Sequence, residues 1–242
     1  MNKILRAMHP RNFSWLGIVL MLAGAAAGIA DQKKNAASAG IFAEDKGKFT
    51  IKLDGQTVGH EEFEIVPSGG GWLAKGNAEF KTPQSPASKV SGALTLDPNG
   101  APISYEWTSQ ADKTNGAHVL FTNGIAKMTL EMQGAHPFDQ TFTFGSPLIA
   151  VLDNNLYHQY AVLARVYDWS KRGAQTFPVF IPQELMPGTI TAEATGSATV
   201  DGKSYEGLRV STTDLEIDLL LDANHRLIRL EVPASKVSVI RD

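Results

Sequence analysis

The sequence predicts a mainly β protein: an antiparallel curved sheet or open half-barrel of about 11–12 strands, with one long amphipathic helix packed on it. Three observations carry this. Most segments after residue 46 alternate apolar and polar residues. Short Asp-Gly and Asn-Gly pairs separate them at hairpin spacing. One central segment, Ser146 to Trp169, instead repeats every three to four residues.

The strands follow in order. Phe49, Ile51 and Leu53 alternate, Asp54-Gly55 turns the chain, and Val58, Phe63 and Ile65 return. WLAKGNAEF follows the glycine-rich Pro67 to Gly71. Val90 to Leu96 leads into Asp97-Pro98-Asn99-Gly100, where proline presets φ and glycine accepts a positive one. Ile103, Tyr105 and Trp107 alternate in the return strand. Asn123-Gly124 joins the next pair, and Phe138 to Phe144 adds a strand. Beyond the central segment come Thr176–Pro182, TITAEATGSATV, SYEGLRVST, LEIDLLLD, RLIRLEV and KVSVI. Strands joined by turns this short pair antiparallel, because a parallel crossover needs a dozen or more residues.

The central segment predicts a helix over about 146–170. Ser146-Pro147 has the chemistry of a helix start, and Gly173 closes the region. Leu148, Leu152, Leu156, Tyr160, Leu163, Val166 and Tyr167 fall on one arc, with Ile149 beside them. Asn154, His158 and Arg165 fall on the other. The polar run Asp153-Asn154-Asn155 excludes a membrane span here. The helix is expected to lay its leucine–tyrosine face on the sheet.

Residues 1–30 have the layout of a secretory signal peptide. Lys3, Arg6 and Arg11 precede the apolar run Phe13–Ile29, and Gly28-Ile29-Ala30 offers small residues for cleavage. An uncleaved anchor is the alternative. The chain has no cysteine, which excludes a lipoprotein anchor and disulfides. Residues 31–46 read as a flexible lead-in, and 47–242 as a single β-rich domain. Beyond residue 30, nineteen basic residues face twenty-five acidic ones, a net charge of −6. That balance argues against nucleic acid and anionic membrane surfaces as partners. The expected location is periplasmic or secreted.

Motifs for chemistry are largely missing. No G-x-S-x-G elbow, P-loop or G-x-G-x-x-G stands in the sequence. His60-Glu61-Glu62 lacks the second histidine of a zinc-protease helix, and on a strand His60, Glu62 and Glu64 share one face, which reads as solvated. His118, His136 and His225 stand in or beside turns. His158 is the first choice for a functional histidine, and Asp153 to Asn155 is the densest polar cluster in an apolar segment. Asp168 and Glu184 flank the region without a readable acid–base pairing. No catalytic residue, metal ligand or cofactor is assigned. The candidate ligand-binding residues are Leu152, Leu156, Tyr160, Leu163, Tyr105 and Trp107. Their expected occupant is a lipid or another hydrophobic small molecule. The other readings are a structural or interaction module partnering an envelope enzyme, and an enzyme with a site near His158.

The order of parts resembles a loose group of exported bacterial proteins of unknown function. The resemblance rests on Asp54-Gly55-Gln56-Thr57-Val58-Gly59-His60-Glu61, on the strand and turn from Leu94 to Tyr105, and on LLLDANHRLIRLEVP, Leu219 to Pro233. It is also similar to leading domains before some secreted α/β-hydrolases, including a segment like Val151–Leu163; no hydrolase activity carries over. At fold level it looks like the open half-barrel of LolA- and LppX-type lipoprotein carriers, which hold acyl chains between a curved sheet and a helical lid. This chain has one long helix where those carriers use several shorter ones.

Overall fold

The computed structural model describes residues 43–82, 85–200 and 202–242. The expected signal peptide and residues 31–42 lie outside them. Eight strands come first: β1 (Asp45–Leu53), β2 (Gln56–Ser68), β3 (Gly71–Thr82), β4 (Ser85–Leu96), β5 (Pro102–Gln110), β6 (Thr114–Thr122), β7 (Ile125–Met132) and β8 (Phe138–Thr143). Then come β9 (Ala150–Val151) and one helix, α1 (His158–Val166). Six strands finish the chain: β10 (Gln175–Ile181), β11 (Met186–Val200), β12 (Lys203–Ser211), β13 (Glu216–Leu221), β14 (Leu227–Val232) and β15 (Val237–Arg241). Strand β1 includes Asp45 and Lys46, which the sequence pattern placed in the lead-in.

All fifteen strands form one sheet, rather than the 11–12 expected. Its order runs β8 to β1, then β15 down to β9. Every pair is antiparallel except β9–β10, where Ala150 and Val151 lie beside Val179 and Phe180. The hairpin chemistry works as read: Asp54 and Gly55 both take positive φ, as do Asn123 and Gly124. A single long-range pairing, β1 with β15, joins the two meanders.

The sheet must curl. Laid flat, fifteen strands at ~4.8 Å spacing would hold β8 and β9 about 67 Å apart. The chain between Thr143 and Ala150 reaches only about 25 Å. The two edges do not pair, but rings bridge them. Phe180 on β10 stands 4.6 Å from Phe142 of β8 and 6.5 Å from Phe121 of β6. Phe144 adds a third ring at 5.7 Å. The sheet is therefore not closed into a barrel by hydrogen bonds; aromatic packing covers its seam.

Inward residues alternate along the strands and form one apolar core, from Phe49, Ile51, Phe63 and Ile65 to Leu230, Val237 and Val239. Ile103 does not join Tyr105 and Trp107 inside; it is 46% exposed. Ser104 pairs with Thr95 and Pro102 with Leu96, so Ile103 is the extra residue of a bulge and points outward.

The helix is shorter than the expected 146–170, and it is buried on all sides rather than amphipathic. Ser146 starts a local turn, accepting the Leu148 N–H. Ala150 and Val151 are drawn into the sheet, and Asn155 takes a φ of 66°. Asp153 to Asn155 thus acts as turn chemistry, not helix interior. Nine residues form a marginal helix alone. Here α1 is held inside the curled sheet, so it fills the concavity.

Two glycines make room for it. Gly76 on β3 and Gly92 on β4 are cross-strand partners. A Cβ on Gly76 would collide with the His158 ring and the Glu61 carboxylate, and one on Gly92 would come 2.6 Å from Leu156 Cδ1. Gly76→Ala is expected to destabilise the fold by about 1–3 kcal/mol by overpacking, read as a lowered urea midpoint.

Candidate functional site

The concave interior holds charge as well as apolar side chains. Glu61 sits on the dry face of β2 in phase with Phe63 and Ile65, and it is 0% exposed. His60, Glu62 and Glu64 point the other way, as read. Glu61 Oε2 accepts the Tyr157 N–H at 2.8 Å. Its two oxygens lie 3.3 and 3.4 Å from the His158 amide N, and Oε1 lies 2.5 Å from His158 Nδ1. Residue Tyr157 offers α1 no side-chain cap of its own, so a strand carboxylate does that work. At the other end the Trp169 indole donates to the Ala164 carbonyl at 2.8 Å.

A second buried group surrounds Asp153. Tyr105 donates its hydroxyl to Asp153 Oδ2 at 2.9 Å, and the Gln183 N–H donates to Oδ1 at 2.9 Å. The Asp153 amide donates to Gln159 Oε1 at 2.5 Å. Burial pushes the Asp153 carboxyl up to about 7, against the bonds it accepts from Gln183 and Tyr105, which favour the charged form. Burial, then the Asp153 charge, raises the Tyr105 hydroxyl well above the ordinary phenol value. The folded state thus holds a proton on Asp153 where the unfolded chain has released it. This contribution to stability is full below the unfolded carboxylate pKa, about 4, and is lost as pH rises toward about 7. Urea unfolding across that window should show stability falling with pH, with a shallower fall in Asp153→Asn.

A third group ties α1 to the sheet. Arg165 donates to Asp45 Oδ2 at 2.8 Å and to the Ala43 carbonyl at 3.1 Å. Arg241 on β15 donates to Asp45 Oδ1 at 2.6 Å and to the Lys46 carbonyl at 2.7 Å. Both His158 and Arg165 are 0% exposed, which corrects the solvated helix face the periodicity suggested for them.

Beside these groups lies a slot between the Leu152–Tyr160 segment and strands β10–β15. Its empty volume is about 670 Å³, counting space open to solvent. Val179, Ile181, Ile190, Val210, Ile217 and Leu230 form buried apolar walls. Asp153, Asn154, Asn155, Tyr157, Ser211 and Thr212 supply polar groups. The Tyr157 hydroxyl and Asn155 Oδ1 are buried and have no hydrogen-bond partner among the described residues. A smaller space of about 320 Å³ lies against Leu94, Leu148, Val162, Leu163 and Phe177.

The six candidate residues separate. Leu152 and Tyr160 line the larger slot, and Leu163 lines the smaller one. Leu156 fills the hollow over Gly92. Tyr105 holds Asp153, and Trp107 faces inward with its indole N–H unpartnered among the described residues. Sequence reasoning missed Glu61, Tyr157 and the β11–β15 walls. The available signal for Glu61 was its phase: on a strand, residues 61, 63 and 65 share a face.

Among the described residues, no helix is long and apolar enough to cross a membrane. Nor does any group of three or more His, Asp or Glu there suit a metal ion. No family model and no curated protein matches the sequence. Solved structures do. A β-barrel-like protein of domain of unknown function DUF1849 from Brucella abortus superposes with a TM-score of 0.54 at 9% identity, over 81% of this chain and 94% of that one. A DUF1089 family protein from Pseudomonas aeruginosa gives 0.46 at 9% identity, over 72% and 90%. The first likeness shows the fold: this chain shares a β-barrel-like architecture with a domain of unknown function.

Proposed function

We propose that the protein is an exported, non-enzymatic binder or carrier of one apolar or amphipathic small molecule, held in the slot between Leu152–Tyr160 and β10–β15. The observation that carries this is the slot itself: buried apolar walls with Asp153, Asn154, Ser211 and Thr212 also lining it. The reading keeps the expected ligand class and places it on one side of the Leu152–Tyr160 segment. Leu156, Leu163, Tyr105 and Trp107 then support the segment or the neighbouring space. A deep acyl cavity of the lipoprotein-carrier type is not part of the proposal, because α1 occupies the concavity.

The test uses the purified protein and a fluorescent fatty-acyl probe. Saturable binding of one probe per protein is expected. Ser211→Trp, at a half-buried lining position, should abolish it with little change in unfolding midpoint. No binding, or unchanged binding in the variant, sinks the reading.

One observation favours an interaction module as a second reading. Strand β8 is an unpaired edge, and Ile103, Leu120, Ile125, Met132 and Phe138 are exposed on or beside that end of the sheet. Self-association lost in Leu120→Lys would support it. An enzymatic site at His158 has no comparable support, since its ring is fully buried against Glu61.

A further inference from the structure

We propose that Leu152–Asn155 is a strap, latched in acid and loosened toward neutral pH, with the Asp153 side chain as its catch. The device holds whether or not the slot takes a ligand. The strap lies between β9 and α1 and belongs to neither. One backbone bond ties it to the sheet, from the Leu152 N–H to the Phe180 carbonyl at 3.1 Å. Its other tethers are side-chain bonds. Tyr105 on β5 and the Gln183 N–H both donate to the Asp153 carboxyl. Gln159 on α1 accepts the Asp153 N–H. Gln183 donates to the Asn154 carbonyl, and Glu184 accepts from the Asn154 side chain. Asp153 therefore joins the strap to β5, to α1 and to the turn Pro182–Glu184.

The surroundings of that carboxyl tolerate charge poorly. Asp153 is 4% exposed, and its two donors, a phenol and a backbone amide, are neutral. No lysine, arginine or histidine lines the slot beside it. The nearby charge is Glu184, of the same sign. Glu61 on β2 is engaged by the His158 ring and the start of α1. Tyr157 and Tyr160 are the other titratable side chains of the slot, and burial keeps both hydroxyls neutral. The walls from β10–β15 add no titratable group.

Opening the strap gives the carboxylate water, which removes the desolvation cost of its charge. The closed strap keeps the Asp153 proton up to about 7, whereas an opened one releases it near the ordinary carboxyl value of about 4. The sign follows from these two values. Opening is hardest below about pH 4, becomes easier as pH rises toward about 7, and levels off above that. Because the strap has only one backbone bond to the sheet, it can open while the strands behind it stay paired.

The experiment is amide hydrogen exchange on the whole chain between pH 5 and pH 8, corrected for the intrinsic pH dependence of exchange. Peptides covering residues 152–157 should lose protection about tenfold or more from pH 5 to pH 7, and little more by pH 8. Low urea should leave their exchange nearly unchanged, because local opening exposes little surface, whereas peptides from β2–β4 should respond. Asp153→Asn should flatten the pH dependence. Tyr105→Phe removes a donor that favours the charged form, so its loss of protection should continue to higher pH than in the native chain. Flat protection in the native chain overturns the proposal. So does an unchanged pH slope in Asp153→Asn, or a Tyr105→Phe profile that levels off where the native one does. Urea dependence as steep as that of β2–β4 also overturns it, since the exchange would then report unfolding of the whole molecule.

Discussion

Glu61→Ala should cost about 3–5 kcal/mol of stability, read as a large drop in urea midpoint with little change in slope. The carboxylate does three jobs at once. It accepts the Tyr157 amide, approaches the His158 amide and pairs with the His158 ring at 2.5 Å. Alanine leaves those donors buried without their acceptor. Glu61→Gln keeps an acceptor for the helix start but removes the charge. It should therefore lose less than alanine, and the difference measures what the charge adds. Gly76 sharpens the test. Its missing side chain leaves the space in which Glu61 and His158 meet, so Gly76→Ala and Glu61→Ala should be non-additive. Equal midpoints for Glu61→Ala and the native protein would refute this account of α1.

Arg165→Met should cost a similar amount, about 3–5 kcal/mol, by breaking a buried ion pair from one side. Methionine keeps much of the apolar volume, so the loss reports charge and hydrogen bonds rather than a cavity. Asp45 would keep only Arg241, and the Ala43 carbonyl would lose its donor. A double-mutant cycle with Asp45→Asn isolates the pair, and a coupling of at least about 1 kcal/mol is expected. The coupling should persist in high salt, because both side chains are almost wholly buried. Surface pairs such as Lys46–Glu64 or Lys89–Glu79 should show almost none.

Period-two patterns made most of the sheet legible. Phe49, Ile51, Phe63 and Ile65 face inward, and the turns at Asp54-Gly55 and Asn123-Gly124 take the backbone shape their residues favour. The central segment was less legible. An apolar arc at helical spacing can also belong to an extended stretch and a turn, and Asp153 to Asn155 broke the helix where the periodicity ran on. Strand β9 has two residues and no pattern of its own. The site was legible only in part, because its chemistry is non-local. Glu61 and His158 lie 97 positions apart, and Tyr105 and Asp153 lie 48 apart. Local spacing carries no information about such pairs. Leu152 and Tyr160 stand on the segment facing the slot, whereas its far wall comes from strands beyond residue 178.

The single pairing of β1 with β15 also bears on how this chain reaches its native state. Each meander can form from neighbouring hairpins, which are short loop closures and therefore fast. Their union cannot. Asp45 meets Arg241 across 196 positions, and β15 must be made before β1 has its second neighbour. The Leu152–Val166 segment has nowhere to be buried until both meanders stand side by side and curl. Its leucines and tyrosines stay in water through the early stages, as do the Asp45 and Arg165 charges. Folding should thus be slow for the chain's size, with the rate set by that one long-range closure. Substitutions at the β1–β15 seam, such as Val239→Ala, should slow folding, whereas Arg165→Met should mainly speed unfolding.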